Sequence, residues 1–287
     1  MKVLGKGRQG IVFLHGRRAL KIVPFDIQAS TRREIQPADV EFNIQSKIQK
    51  VAPSGVVRVY KLVKRTNFVP VNRINMHNVQ NTNKYNKSRQ TLIYSEYCNG
   101  GSLASWLEKQ KRLSDTTLTK IISQVLKTLY RIQRKYPYFR HNDLHIDNVF
   151  VSRTRGALIG DFGWSRLRRN GTNPAVNTAN GTSTASYWGV GPRTDARYDM
   201  HLFCSGLLKW IRSHKPSRFP KTYAALQQII PVGYRRDTDV HTSAGRLKYL
   251  DPCPGLPTVA QALRILNFKS KLIQRRRVKR RSKKIRV

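Results

Sequence analysis

Alternation and helical spacing of apolar residues divide the chain into two unlike parts. Residues 3–4, 11–14 and 19–23 form short apolar runs of strand character around a glycine-rich turn, and Val40, Ile44 and Ile48 recur at helical spacing over 40–48. Residues 56–62 and 91–97 predict further strands, so the opening reads as sheet with one helix. Between them, residues 64–90 lose the periodicity and fill with basic residues and Asn67, Asn72, Asn75, Asn78, Asn81, Asn83 and Asn86. That stretch is predicted to be a mobile loop insertion.

The turn-rich break Cys98-Asn99-Gly100-Gly101 suits a hinge, and Leu103, Trp106 and Leu107 follow at helical spacing. Residues 114–130 place Leu118, Ile121, Ile122, Val125, Leu126 and Leu129 on one stripe, predicting a long amphipathic helix capped by Ser114 or Asp115. Helical periodicity returns at 200–211 and 223–230, while 164–192 is rich in Gly, Thr, Asn and Ser. The second part is therefore expected to be mainly helical, and no internal repeat is visible.

At 39% apolar, the 287 residues suffice for a packed core, which excludes wholesale disorder. Charge changes the picture: 55 Lys and Arg stand against 15 Asp and Glu, a net +40, which points to a polyanionic neighbour. Residues 269–287 hold eleven of the cations and no acid, yet 44 basic and 15 acidic residues remain without them, still +29. This tail reads as a disordered nuclear-localisation segment, as a nucleic-acid contact or as a solvated charge run; having no aromatic residue, it would meet nucleic acid through phosphates. The three cysteines Cys98, Cys204 and Cys253 are widely spaced, so neither a disulfide framework nor a zinc cluster is indicated. No apolar run nears 18 residues and the N-terminus lacks a signal-like stretch, so a location inside the cell and no membrane partner are expected.

Candidate chemistry begins at Gly5-Lys6-Gly7-Arg8-Gln9-Gly10-Ile11-Val12, a G-x-G-x-x-G-x-V run whose bare backbone can approach phosphates. The same glycines open dinucleotide-binding folds, but those need a following helix, whereas strand, turn and strand follow here. Lys21 sits among apolar neighbours on a strand predicted to be half-buried, so it needs a counter-ion. Glu41 on the next helix is the natural one, with Glu34 as rival. Finally, His141-Asn142-Asp143-Leu144-His145-Ile146-Asp147-Asn148 is followed by Gly160-Asp161-Phe162-Gly163, an H-x-D-x-x-x-x-N loop with D-F-G thirteen residues after its Asn.

These motifs, in this order from Gly5 to about Ile211, resemble the protein kinase superfamily. The resemblance implies an α+β, two-lobed kinase-like fold: a strand-rich N-lobe over 1–97 with the insertion at 64–90, a helical C-lobe over 98–268, and the basic tail. It implies that Asp143 orients the substrate hydroxyl, that Lys21 held by Glu41 grips phosphates of ATP, and that Asn148 and Asp161 hold Mg²⁺. Gly5, Gly7, Gly10 and Val12 would cover the nucleotide, Glu96 and the backbone near Tyr97 and Cys98 would meet the adenine, and Ser95 would gate the inner pocket. Asp199 looks like the helix-start acid that braces the catalytic loop.

Departures from the family matter as much. Asn142 replaces the Arg that pairs with a phosphorylated activation loop, His145 replaces a Lys beside the transferred phosphoryl, and no A-P-E follows D-F-G. The compact H-N-D-L-H-x-D-N form in a basic chain is similar to divergent serine/threonine kinases of large DNA viruses. The implied activity is ATP- and Mg²⁺-dependent phosphorylation of protein Ser or Thr, in host cytoplasm, nucleus or virion, with nucleic acid or acidic protein as further partners. The alternatives are a kinase-like small-molecule phosphotransferase and a silent nucleic-acid-binding or virion protein on the same scaffold.

Overall fold

The structure, a computed structural model, describes residues 1–7, 10–31, 35–70, 74, 85–168, 194–214, 216–234 and 255–266. Glu34, Cys253, the Thr and Ser residues of 172–186, most of the Asn-rich stretch and the basic tail lie outside the described residues.

Strands β1 (Lys2–Lys6), β2 (Ile11–His15), β3 (Arg18–Asp26), β4 (Val59–Thr66) and β5 (Tyr85–Glu96) form an antiparallel sheet in the order β1-β2-β3-β5-β4. A short helix α1 (Ile27–Thr31) precedes α2 (Pro37–Val51), which starts at a proline and carries Asp39 in its first turn and Lys50 in its last, matching its dipole. Period-two alternation gives the sheet two apolar faces. Val23, Val59 and Ile93 pack with Ala38 and Phe42 of α2, while Ile11, Phe13, Leu20, Ile22 and Leu92 face the other way.

Two sequence-based expectations need correction here. The stretch 64–90 is not all loop: β4 runs to Thr66 and β5 begins at Tyr85, with Arg65 opposite Gln90 and Thr66 opposite Arg89. Val69 and Ile74 cover the second sheet face, fixed there because the Gln90 amide exchanges hydrogen bonds with the Val69 backbone at 3.0 and 2.7 Å. The strand expected over 56–62 starts instead at Val59, because Val56 and Val57 are diverted to bridge Ile159, with Val57 N–H donating to its carbonyl at 2.9 Å.

The second lobe is built on α4 (Asp115–Lys135), preceded by α3 (Leu103–Glu108). Ser114 is the cap, its hydroxyl accepting from Thr117 N–H at 3.1 Å. The buried stripe Leu118, Ile122, Val125, Leu126, Leu129 and Ile132 packs against α5 (Tyr198–Ser213) and α6 (Pro220–Ile229), and α7 (259–266) joins the same core. A hairpin of β6 (Val149–Ser152) and β7 (Gly156–Ile159), with no clear periodicity of its own, lies on α4 toward the sheet lobe. Cys98 and Cys204 are buried free thiols, and no helix among the described residues is long and apolar enough to cross a membrane.

Gly55, in the turn after α2, is a close contact between the lobes. A Cβ there would stand 1.9 Å from Oγ1 of Thr128 on α4, and the Gly55 carbonyl accepts from Ile159 N–H at 2.9 Å. Gly55→Ala is expected to destabilise the protein by about 1–3 kcal/mol through overpacking, read as a lower thermal midpoint. An unchanged midpoint would contradict this contact.

Candidate active site

Lys21 stands on β3 between Val12 of β2 and Ile93 of β5, its side chain directed to the α2 side of the sheet. Its Nζ donates to both carboxylate oxygens of Glu41, at 2.9 and 2.8 Å, and to Oδ1 of Asp161 at 2.9 Å. Glu41 is thus the counter-ion and Asp161 a second one from the other lobe. Burial alone would lower the Lys21 pKa, but the Asp161 and Glu41 carboxylates override it and hold the ammonium above the ordinary lysine value. Burial also pushes the Glu41 carboxyl up while Lys21 pulls it down; with both oxygens within 2.9 Å of Nζ, the pair is ionised. Asp161 differs in being 45% exposed toward the cleft, and against the cost of its enclosure Lys21 keeps it below the usual carboxylate range.

The loop carrying Asp143 is fixed from beneath. Asp199, in the first turn of α5 and fully buried, accepts from the backbone N–H groups of His141 and Asn142, each at 2.8 Å, which bears out its expected bracing place. Burial raises its carboxyl, and those N–H groups and the Arg140 guanidinium work in the opposite direction. Burial holds His141 neutral: Nε2–H donates to the Gly160 carbonyl at 3.0 Å, Nδ1 has no partner among the described residues, and its ring lies 4.9 Å from that of Phe162. Asn142, at φ 65°, donates its side-chain amide to the Trp164 carbonyl at 2.8 Å, tying this loop to the segment after D-F-G. Arg140 and Arg166 add an antiparallel bridge between the same segments.

Asn148 Nδ2 donates to the Asp143 carbonyl at 2.8 Å and to its Oδ2 at 3.0 Å, so the Asp143 carboxylate has one fixed orientation. His145 reaches the other oxygen, with Nε2 3.5 Å from Asp143 Oδ1 and Nδ1 3.6 Å from Asp147 Oδ2. The Asp147 N–H also points at Nδ1 from 3.2 Å, a contact that suits a bare nitrogen. The Asn148 amide likewise lies 3.2 Å from Nε2, and burial alone would lower the ring pKa; against these, the Asp143 and Asp147 carboxylates on either side raise it to about 10 and favour the cation at neutral pH. No cluster of three or more His, Cys, Asp or Glu among the described residues could hold a metal by itself. The amide of Asn148 and the cleft-facing carboxylate of Asp161 are hard oxygen donors, a set that fits Mg²⁺ shared with phosphates and water.

Above these groups β1 and β2 form the expected hairpin, with Gly5 opposite Val12 and Gly7 N–H donating to the Gly10 carbonyl at 2.9 Å. Gly10 is obligatory, since a Cβ would lie 2.2 Å from the Ile22 carbonyl oxygen. At the lobe junction, Ser95 Oγ lies 3.4 Å from the Ala19 carbonyl oxygen. Cys98 packs with Val57, Leu158 and Phe150, and burial beside Glu96 pushes its thiol up to about 12, so it stays protonated.

Glu96 stands at the lobe junction, but its carboxylate pairs with the Arg155 guanidinium and accepts from Arg58 N–H at 3.2 Å, and its own N–H donates to the Arg58 carbonyl at 2.8 Å, leaving only its carbonyl for a nucleotide. Arg155, in the β6–β7 turn, also donates to the carbonyls of Pro53 and Val56. Sequence reasoning missed Arg155 because one more arginine in so basic a chain carries no local signal.

The protein kinase domain description matches residues 1–189. Serine/threonine-protein kinase R400 of Acanthamoeba polyphaga mimivirus is 38% identical over 77 residues, 26% of this chain and 16% of that protein. Serine/threonine-protein kinase ppk16 of Schizosaccharomyces pombe is 32% identical over 87 residues, 30% and 13% of the two chains. Mitogen-activated protein kinase kinase SIPKK of Nicotiana tabacum is 28% identical over 188 residues, 63% and 44%. The chain spans less than half the length of each. A match over 189 of 287 residues, containing the hairpin, the lysine bridge and the whole Asp143 loop, makes this chain a member of the protein kinase domain family.

Proposed function

We propose that the protein is a serine/threonine kinase that moves the γ-phosphoryl of ATP to a hydroxyl on a protein substrate. The observation that carries this reading is the Lys21 ammonium held between Glu41 of the sheet lobe and Asp161 of the helical lobe. A merely structural scaffold has no need of a cation, a solvent-open carboxylate and an oriented aspartate facing one cleft. The lobes are 1–97 and 98–268, and 269–287 is a basic tail.

In this reading Lys21 exchanges its contact with Asp161 for phosphate oxygens while Glu41 keeps the ammonium in place. Asp143, held by the Asn148 amide, accepts the proton of the attacking hydroxyl and fixes its direction. The His145 cation lies beside Asp143, where negative charge gathers on the transferring group. Asn148 and Asp161 would hold Mg²⁺ beside the ATP phosphates, and the ion would supply neutralisation of phosphate charge. The glycine hairpin keeps water from the phosphates, and the backbone at Glu96–Cys98 meets the adenine.

The mimivirus relative and the basic composition support a viral kinase acting inside an infected cell. Its cationic surface and tail would recruit polyanions, either nucleic acid or acidic proteins. The small-molecule reading rests on His145 in Asp-Leu-His, and is tested by whether label from ATP enters proteins or metabolites.

Asp143→Asn keeps the shape and removes the proton acceptor, so phosphate incorporation into mixed protein substrates is expected to fall about 10²–10⁴-fold. Equal incorporation by parent and variant would remove the mechanism. His145→Gln is expected to lose about tenfold in kcat, and His145→Lys to keep most of the rate. Because the His145 pKa is raised to about 10, its charge persists through neutral pH and is lost as pH rises through about 10. The parent rate should therefore fall on that alkaline limb while the Lys variant lags behind it; identical limbs would count against a cationic role.

A further inference from the structure

From Thr116 to Asn142 the chain contains no Asp or Glu. Lys120, Lys127, Arg131 and Arg134 recur along α4 at intervals of seven, four and three, which places them on one stripe, and all are exposed. That stripe lies opposite the buried line of Leu118, Ile122, Val125, Leu126 and Leu129, and extends about 21 Å at 1.5 Å per residue. Among the described residues no acidic side chain pairs with any of the four; the lysine and arginine ion pairs there belong to Lys21, Lys64, Arg155 and Arg197. An exposed helix face ordinarily interleaves acids, because like charges four residues apart, as at Lys127 and Arg131, repel. Among the described residues nothing relieves that repulsion.

Two exposed rings accompany the cations. Tyr130 is 36% exposed with the Arg134 guanidinium 5.8 Å from its ring centre, and Tyr138, just past the helix, is 49% exposed. An acidic peptide would use the cations and ignore the rings. Unpaired bases stack on such rings while phosphates meet the cations, and a duplex keeps its bases out of reach.

We infer that the outer face of α4, from Lys120 to Tyr138, binds single-stranded nucleic acid. The inference rests on the polyanion-binding reading given above, narrows it to one ligand and one surface, and is independent of the phosphoryl-transfer site. The test is the anisotropy of a fluorescein-labelled oligothymidylate with the full chain across a salt series. Lys127→Gln/Arg131→Gln/Arg134→Gln is expected to reduce the steepness of log affinity against log salt by about 2, at roughly 0.7 per phosphate contact. Tyr130→Ala/Tyr138→Ala is expected to weaken oligothymidylate by about fivefold or more and to leave inorganic polyphosphate unaffected.

No binding by the parent would overturn this inference and the nucleic-acid half of the polyanion reading, leaving acidic proteins as the partner. Binding whose salt dependence ignores the triple substitution would overturn this surface alone, and equal loss of both ligands in the tyrosine variant would overturn the single-strand assignment. Photo-cross-linking of bromouracil-substituted oligonucleotide to the unmodified chain supplies a check free of folding effects. Adducts are expected at Tyr130 or Tyr138, and adducts confined to 269–287 would overturn the proposal.

Discussion

The site depends on one buried ammonium with more than one anion to serve. Removing Lys21 from water is costly, and its two carboxylates come from segments 20 and 140 residues away. Glu41 and Asp161 would repel each other at this separation without the cation, so each of the three charges needs the other two. The bridge therefore specifies an arrangement more than it adds net stability: α2 must dock on the sheet with Glu41 inward, and the D-F-G backbone must turn at φ 55° to present Asp161. Placement of the sheet, its helix and the lower lobe converges on that point.

A second constraint supports the first from below. Asp199 caps the catalytic loop's backbone instead of its own helix, spending a helix-start acid on His141 and Asn142. The loop can then keep Asn142 in the left-handed region and point Asp143 into the cleft, with Asn148 closing the geometry.

Much of this was legible in the sequence, because the groups that do chemistry are spaced by rigid elements. Lys21 and Glu41 announced themselves as a polar residue on an apolar strand and an acid on an apolar helix, and the Asp143 loop by motif. The parts that escaped notice depend on contacts distant in sequence. The ends of β4 and β5 are hidden by basic and Asn-rich residues, and a single side-chain amide, Gln90, settles how Val69 folds back on the sheet. Val56 and Val57 look like strand and are instead recruited by Ile159. Glu96 was read for its place beside the nucleotide, and its charge was already committed to Arg155.

That commitment has a mechanical consequence. One planar guanidinium ties the segment joining the lobes to the turn after α2 and to the β6–β7 turn, with little of its surface open to water. Such a rivet leaves the joining segment little slack, so rocking of one lobe over the other must pivot about Arg155. Travel is then least at the rear of the cleft and greatest at its mouth, under the glycine hairpin.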